Sequence, residues 1–148
     1  MSSYRKIYYH IIFGTKNRQA VISQEHEEEM YKYIWGIIKK QNCFLYRING
    51  TADHIHILTD LHPSVSLAAL VKDIKVASSI WLKQHSGFPL FNGWQEGYGA
   101  FTYSEQDKEM IIGYIKKQKE HHQKENFFDE FKRLLREHSI KFDEKYLL

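Results

Sequence analysis

Asp53-His54-Ile55-His56-Ile57-Leu58 is the stretch whose reading decides the fold of this chain. In an extended strand, successive side chains point to opposite faces. His54 and His56 then share one face, and Ile55 and Ile57 share the other. One face suits a hydrophobic core and the other suits chemistry. Two imidazoles at i and i+2 stand about 6.5–7 Å apart along a strand, so they can grip one metal ion between them. Such an ion needs further ligands from elsewhere in the chain. Taken alone, the pair is equally compatible with two solvent-facing strand histidines. Cupins and metallohydrolases also use His-x-His pairs.

Working outward, Tyr4 to Thr15 alternates and then runs apolar through Ile11-Ile12-Phe13, which predicts a first strand closed by Gly14. Ser23 is the expected N-cap of a helix over about Gln24 to Gln41. Glu25, Glu27 and Glu28 at its start and Lys39 and Lys40 at its end suit the helix dipole. Met30, Ile34, Ile37 and Ile38 form its apolar stripe. Cys43 to Ile48 reads as a second strand, and Asn49-Gly50 signals a tight turn, or a longer loop taking in Thr51 and Ala52, before a third strand, Asp53 to Asp60. Pro63-Ser64-Val65-Ser66 opens a second helix to about Gln84. Gly97 to Tyr103 reads as a fourth strand. Ser104, with Asp107 three residues on, resembles a capping box that opens a third helix from Glu105 to about Gln123. An amphipathic segment, Phe127 to His138, follows.

The order β-α-β-β-α-β, then α-α, is that of an α+β ferredoxin-like split βαβ fold: a four-stranded antiparallel sheet with helices on one face, plus C-terminal helices. Residues 1–148 read as one domain. The open sheet face is expected to carry His54 and His56. The apolar first strand, Tyr4 to Phe13, is expected to pair with a symmetry mate.

The chain has 148 residues, 43% hydrophobic and 26% charged, which is ordinary for a globular domain. A net charge of +3 is compatible with nucleic acid without arguing for it. Aromatic residues make up 15%, enough to stack bases as well as fill a core. Cys43 is the one cysteine, so no disulfide forms within the chain and a reducing cytoplasm is expected. The start, Met1-Ser2-Ser3-Tyr4-Arg5-Lys6, lacks the apolar core of a signal peptide. No segment reaches the roughly 18 apolar residues of a membrane span.

The expected third helix contains Tyr114-Ile115-Lys116-Lys117-Gln118. Tyr114 and Gln118 are i and i+4, one turn apart on one helical face. His121 and His122 fall near that face one turn further on. A tyrosine and possible metal ligands would thus lie in one rigid row. His10 reads as a structural strand residue.

His-Ile-His in an apolar strand, followed by Tyr-x-x-x-Gln on a late helix, resembles the single-tyrosine HUH transposases of the IS200-like insertion sequences. The likeness also takes in Tyr9-His10-Ile11-Ile12-Phe13-Gly14-Thr15-Lys16, Gly50-Thr51-Ala52-Asp53, Leu70-Val71-Lys72-Asp73-Ile74-Lys75 and Trp94-Gln95-Glu96-Gly97-Tyr98-Gly99-Ala100-Phe101. The resemblance implies that His54, His56 and Gln118 bind a divalent metal, Mg²⁺ or Mn²⁺, and that Tyr114 is the nucleophile. It implies cleavage of single-stranded DNA near hairpins at element ends. The implied intermediate is a 5′-phosphotyrosine with a free 3′-OH, and the implied assembly is a homodimer whose sites form in cis or in trans. Lys72, Lys75, Lys116, Lys117, His121 and His122 are candidate DNA contacts.

The chemistry accounts for these residue types. A divalent ion on the non-bridging oxygens of a phosphodiester neutralises its charge and orients the phosphorus. Two imidazoles and an amide oxygen are neutral ligands, so they leave the ion's charge high. Mixed nitrogen and oxygen donors suit Mn²⁺, with Mg²⁺ compatible when DNA supplies oxygens. A tyrosine of ordinary pKa near 10 is a poor nucleophile at neutral pH, and a nearby cation (Lys116, Lys117 or Lys119) would favour its phenolate. A covalent phosphoester keeps the bond energy for rejoining. The alternatives are a related HUH nicking enzyme of the replication or relaxase type, a domesticated repeat-processing relative, and a non-catalytic ferredoxin-like nucleic-acid binder.

Overall fold

The computed structural model describes residues 4–147, so the Met1–Ser3 end of the N-terminal segment lies outside it. Strands β1 (Tyr8–Gly14), β2 (Leu45–Thr51), β3 (His54–Thr59) and β4 (Gly99–Tyr103) form one antiparallel sheet in the order β2-β3-β1-β4. Helices α1 (Glu27–Lys40) and α2 (Leu67–Gln84) sit in the two crossovers. Helices α3 (Lys108–Lys116), α4 (Gln118–His121) and α5 (Phe127–Glu137) follow β4. The expected element order and the four-stranded antiparallel α+β architecture are therefore present.

Alternation along β1 and β3 divides the molecule into two layers. Ile11, Phe13, Ile55 and Ile57 point to one side, where Met30, Ile34 and Ile38 of α1 and Leu70, Val71 and Ile74 of α2 close over them. Their spacings of three and four residues keep each set on one face of its helix. Full burial of each such side chain contributes about 1.5–3 kcal/mol, so this layer anchors the sheet. Ser66 caps α2, its side chain accepting from the Ala69 N–H at 3.1 Å.

On the other side, Tyr8 and Leu58 pack against Ile111 and Ile115 of α3. Ile12 and Phe101 pack against Phe127, Phe131, Leu134 and Leu135 of α5. The face expected to be open is thus covered by the C-terminal helices, and His10, His54 and His56 are fully buried beneath them.

Four further expectations need correction. β1 is not an edge strand: it lies between β3 and β4, so it has no free side for a symmetry mate. Asn49-Gly50 is not the hairpin turn. Pairing runs on to Thr51 opposite His54, and Ala52-Asp53 makes the turn. That turn is pinned from outside, because the Ala52 carbonyl accepts from Val21 N (3.0 Å) and Ile22 N (2.9 Å) and the Asp53 carbonyl from Thr15 N (2.8 Å). Ser23 does not cap α1: the chain makes one more turn, His26 N bonding Ser23 O at 3.2 Å, before the helix starts at Glu27. Ser104 Oγ donates to the Asp107 carboxylate at 3.2 Å and makes no bond to the helix backbone.

The expected third helix is also broken at Lys117, whose φ/ψ of −97°/19° leaves the helical region. The cause lies in β2. The Asn49 side-chain amide donates to the carbonyls of Ile115 (3.0 Å) and Lys116 (3.1 Å). An unbroken helix would give those carbonyls to the amides of residues 119 and 120. Asn49 therefore ends α3 and lets α4 turn its Gln118 inward, where it is fully buried.

Candidate active site

The site lies between the sheet and α3–α5. β3 supplies His54 and His56, β1 supplies His10, and α3 supplies Tyr114. Gln118 comes from α4, His122 from the turn after it, and Glu130 and Arg133 from α5. Tyr114 and Gln118 sit on different helices, so they are not in one rigid row. They meet because both reach the carboxylate of Glu130.

Glu130 is fully buried. Its Oε1 faces three imidazole nitrogens: His122 Nε2 at 3.0 Å, His56 Nε2 at 3.1 Å and His54 Nε2 at 3.3 Å. Its Oε2 accepts from Gln118 Nε2 at 3.0 Å and from the Tyr114 hydroxyl. Burial would raise the Glu130 carboxyl, but the imidazoles of His56, His122 and His54 outweigh it and hold the group well below the usual carboxylate range. Glu130 is an anion in a dry site, stabilised by neighbours from three separate elements.

Each strand histidine is held from behind. His54 Nδ1 bonds Asp53 Oδ1 at 2.8 Å and Thr51 Oγ1 at 3.0 Å, and its ring stacks on Phe127 with centroids 4.3 Å apart. Burial lowers its pKa, but the bonds to Asp53 and Glu130 outweigh that and raise it above the ordinary value. His56 Nδ1 meets His10 Nε2 at 2.7 Å, with the rings stacked 5.0 Å apart. Burial brings His56 down to about 4 and His10 well below its ordinary value, so both are neutral near pH 7. Among the described residues Nδ1 of His10 has no partner. Ligation of a metal through His56 Nε2 requires the proton on His56 Nδ1, donating to His10 Nε2. A partner on Nδ1 that directs Nε2 inward is the outer support found behind metal-bound histidines.

Tyr114 is half-buried. Its hydroxyl donates to Glu130 and accepts from Arg133 Nη2 at 2.7 Å. Arg133 is fixed by Glu125 (Nη2 to Oε1 3.0 Å, Nε to Oε2 3.1 Å) and by Glu137 (Nη1 to Oε1 3.0 Å). Burial and then the Glu130 charge push the phenol well above its ordinary value, against a smaller pull from Arg133. A cleft of about 710 Å³ lined by Tyr114, Glu120, His121, Lys124 and Arg133 opens beside the ring.

The other expected residues scatter. His121 rests on the Tyr114 ring, centroids 4.6 Å apart. Lys116 and Lys117 are exposed at the break between α3 and α4. Lys119 Nζ is held by Glu27 (2.8 Å) and Asn49 (3.0 Å). Lys72 and Lys75 lie on α2, across the sheet from the histidines. Lys72 is exposed there, while Lys75 Nζ donates to the carbonyls of Gln95 (2.9 Å), Glu96 (3.2 Å) and Gly97 (2.7 Å).

Sequence reasoning missed Glu130 and Arg133. A signal was present: Phe127, Glu130, Phe131 and Leu134 share one face of α5, so an acid stood at a core-facing position. The donor set fits a divalent ion. His54 Nε2 lies 3.1 Å from Gln118 Oε1, and His56 Nε2 and Glu130 Oε1 converge on the same space.

The sequence and the fold both match known proteins. Residues 3–118 match the family described as "Transposase IS200 like". Transposases for insertion sequence IS200 from Salmonella typhimurium and Salmonella typhi are each 27% identical over 117 residues, covering 76% of this chain and 76% of theirs. The crystal structure of a protein from Deinococcus radiodurans R1 assigned as a transposase superposes with a TM-score of 0.58 at 26% identity, over 80% of this chain and 95% of that one. A REP-associated tyrosine transposase bound to a REP hairpin gives 0.60 at 15% identity, over 82% and 74%, a likeness of fold. No described helix is long and apolar enough to cross a membrane. With most of its length matched, through Tyr114 and Gln118, this chain belongs to the IS200-like family of single-tyrosine transposases.

Proposed function

We propose that this protein cuts and rejoins single-stranded DNA at hairpin-bearing element ends, with Tyr114 as nucleophile and a divalent ion, Mg²⁺ or Mn²⁺, held by His54, His56 and Gln118. The observation that carries the reading is the meeting of Tyr114, His54, His56 and Gln118 around one buried carboxylate. These four residues come from three elements and share no other evident task. When bound, the ion neutralises charge on the scissile phosphate and orients it.

The chain's own residues do the rest. Asp53 and His10 hold the two strand imidazoles in place. Arg133 and Glu130 fix the Tyr114 oxygen, one donating a hydrogen bond to it and the other accepting one from it. Attack by that oxygen forms a phosphorus–oxygen bond to tyrosine and breaks the bond to the 3′ oxygen, which takes up the proton that the phenol gives up and leaves as a 3′-OH. The 5′-phosphotyrosine then stores the phosphoester for rejoining. Arg133 stabilises the charge on the phenol oxygen as its proton leaves. The IS200 relatives support insertion-sequence DNA and the hairpin-bound neighbour a DNA hairpin as partner, and two element ends call for two copies of the chain.

Incubation with hairpin-bearing single strands and Mn²⁺ or Mg²⁺ tests the reading. Wild type should nick, and Tyr114→Phe should not, while binding the hairpin within a few-fold. Undiminished nicking by Tyr114→Phe would refute the assignment. A mixture of Tyr114→Phe and His54→Ala/His56→Ala subunits recovers activity if sites assemble in trans and stays inactive if they assemble in cis.

A further inference from the structure

We infer that Glu130 and His122 are additional ligands of the metal, joining His54, His56 and Gln118. Both residues lie beyond position 118, where the match to the family ends. The inference rests on the metal-dependent reading above and enlarges its ligand set.

The first argument counts donors. A carboxylate offers about four lone-pair sites, two on each oxygen. Oε2 of Glu130 is filled by Tyr114 and Gln118. Oε1 then faces three imidazole nitrogens at 3.0, 3.1 and 3.3 Å. His56 and His122 fill the two sites of that oxygen, and the His54 Nε2 bond goes to Gln118 Oε1 at 3.1 Å. Without a cation this pairing requires a proton on Nε2 of all three rings. A cation among these atoms requires none there, because each Nε2 then offers its lone pair alongside Glu130 Oε1 and Gln118 Oε1.

The second argument is distance. Donors about 2.1 Å from an ion stand about 3.0–3.4 Å apart at neighbouring vertices, six-coordinate at the short end and tetrahedral at the long end. All three separations around Oε1 fall in this range, as does the 3.1 Å between His54 Nε2 and Gln118 Oε1. The four ligand atoms of His54, His56, His122 and Glu130 all lie within 4.8 Å of one another.

The third argument is support. His54 and His56 each have an Nδ1 partner that turns Nε2 toward Glu130. Glu130 is itself fixed by the apolar face of α5, where Phe127, Phe131 and Leu134 are buried on either side of it in sequence. Ligation by Glu130 ties α5 to the sheet, with Oε2 still holding the Tyr114 oxygen. The C-terminal helix thereby becomes part of the metal site and links the ion to the nucleophile.

The test is Mn²⁺ binding by the full chain without DNA, read by calorimetry and by hydrogen exchange. Glu130→Gln and His122→Ala should each weaken binding by at least the roughly 10- to 100-fold that loss of an outer-shell partner costs. In wild type, Mn²⁺ should slow amide exchange over residues 127–137, a readout that needs no variant and so survives misfolding of Glu130→Gln. Wild-type affinity in both variants, with Gln118→Ala alone impaired and exchange in α5 unmoved, would overturn the inference and leave the three-residue set. A wild-type protein that binds Mn²⁺ no better than His54→Ala/His56→Ala would instead overturn the metal reading under Proposed function, and this inference with it.

Discussion

The two faces of the sheet are built from the same strands by different rules. On the α1–α2 face, Ile11, Phe13, Ile55 and Ile57 meet Met30, Ile34, Ile38, Leu70 and Ile74, so the layer against the sheet is held chiefly by apolar area. On the α3–α5 face, one residue away along each strand, His10, His54 and His56 are just as buried, and a glutamate is buried with them. The first face is tolerant of volume-conserving exchange because its forces are non-directional. The second depends on every polar atom having its partner, since a charge left unpaired in a dry site is costly. The same alternation of side chains therefore yields a scaffold on one side and a chemically poised layer on the other.

The contrast makes the Glu130 carboxylate the most sensitive point in the fold. Glu130→Ala should cost about 3–5 kcal/mol, the range for breaking a buried ion pair by removing one partner. Denaturant unfolding of the metal-free protein measures it, and a cost below that of a surface substitution would show that the cluster is not coupled. The His54→Ala/His56→Ala pair should lose stability for a related reason, because both rings are buried and Glu130 would lose two of its three imidazoles.

Acid should separate the two faces next. His56 is lowered to about 4 by burial, so it favours the neutral form when folded. A lowered histidine contributes stability above its unfolded value of about 6.5, and that contribution is lost as pH falls through about 4. His10 acts in the same direction. His54 is raised and opposes them, its contribution being present below about 6.5 and lost as pH rises through its folded value. The loss from His56 alone amounts to about 3 kcal/mol. Melting temperatures between pH 7 and pH 4 should fall. Replacing both His10 and His56 with phenylalanine should flatten that dependence, and an unchanged slope would contradict the assignment of neutral histidines.

The smallest effect belongs to the apolar face. Ile57→Val should cost about 0.5–1.5 kcal/mol and leave nicking per folded molecule unchanged, because Ile57 points away from Tyr114. A selective loss of activity in this variant would show that the two faces are not independent.

What could be read from the chain follows the same division. The apolar face was legible because periodicity reports it: Met30, Ile34 and Ile38, or Ile55 and Ile57, announce their neighbours by spacing alone. The His54–His56 pair and Tyr114–Gln118 were legible as motifs. The break at Lys117 was hidden because its cause, the Asn49 amide, lies 66 residues from Ile115. Asn49 was itself disguised by the turn-like Asn-Gly pair. Glu130 was hidden because an acid in a helix is normally solvated, and only its place between Phe127, Phe131 and Leu134 marks it as buried. The covered face was missed because the helices after β4 were placed in order but not in space.

The central claim is that Tyr114 becomes covalently joined to DNA. Its most direct test is mass spectrometry of the wild-type protein after reaction with a hairpin-bearing single strand and Mn²⁺, with the adduct mapped to a peptide. The account predicts a phosphotyrosyl-linked nucleotide at Tyr114 in wild type, with none in Tyr114→Phe or in His54→Ala/His56→Ala. Strand cleavage with no adduct at Tyr114, or an adduct on another residue of the chain, would contradict it.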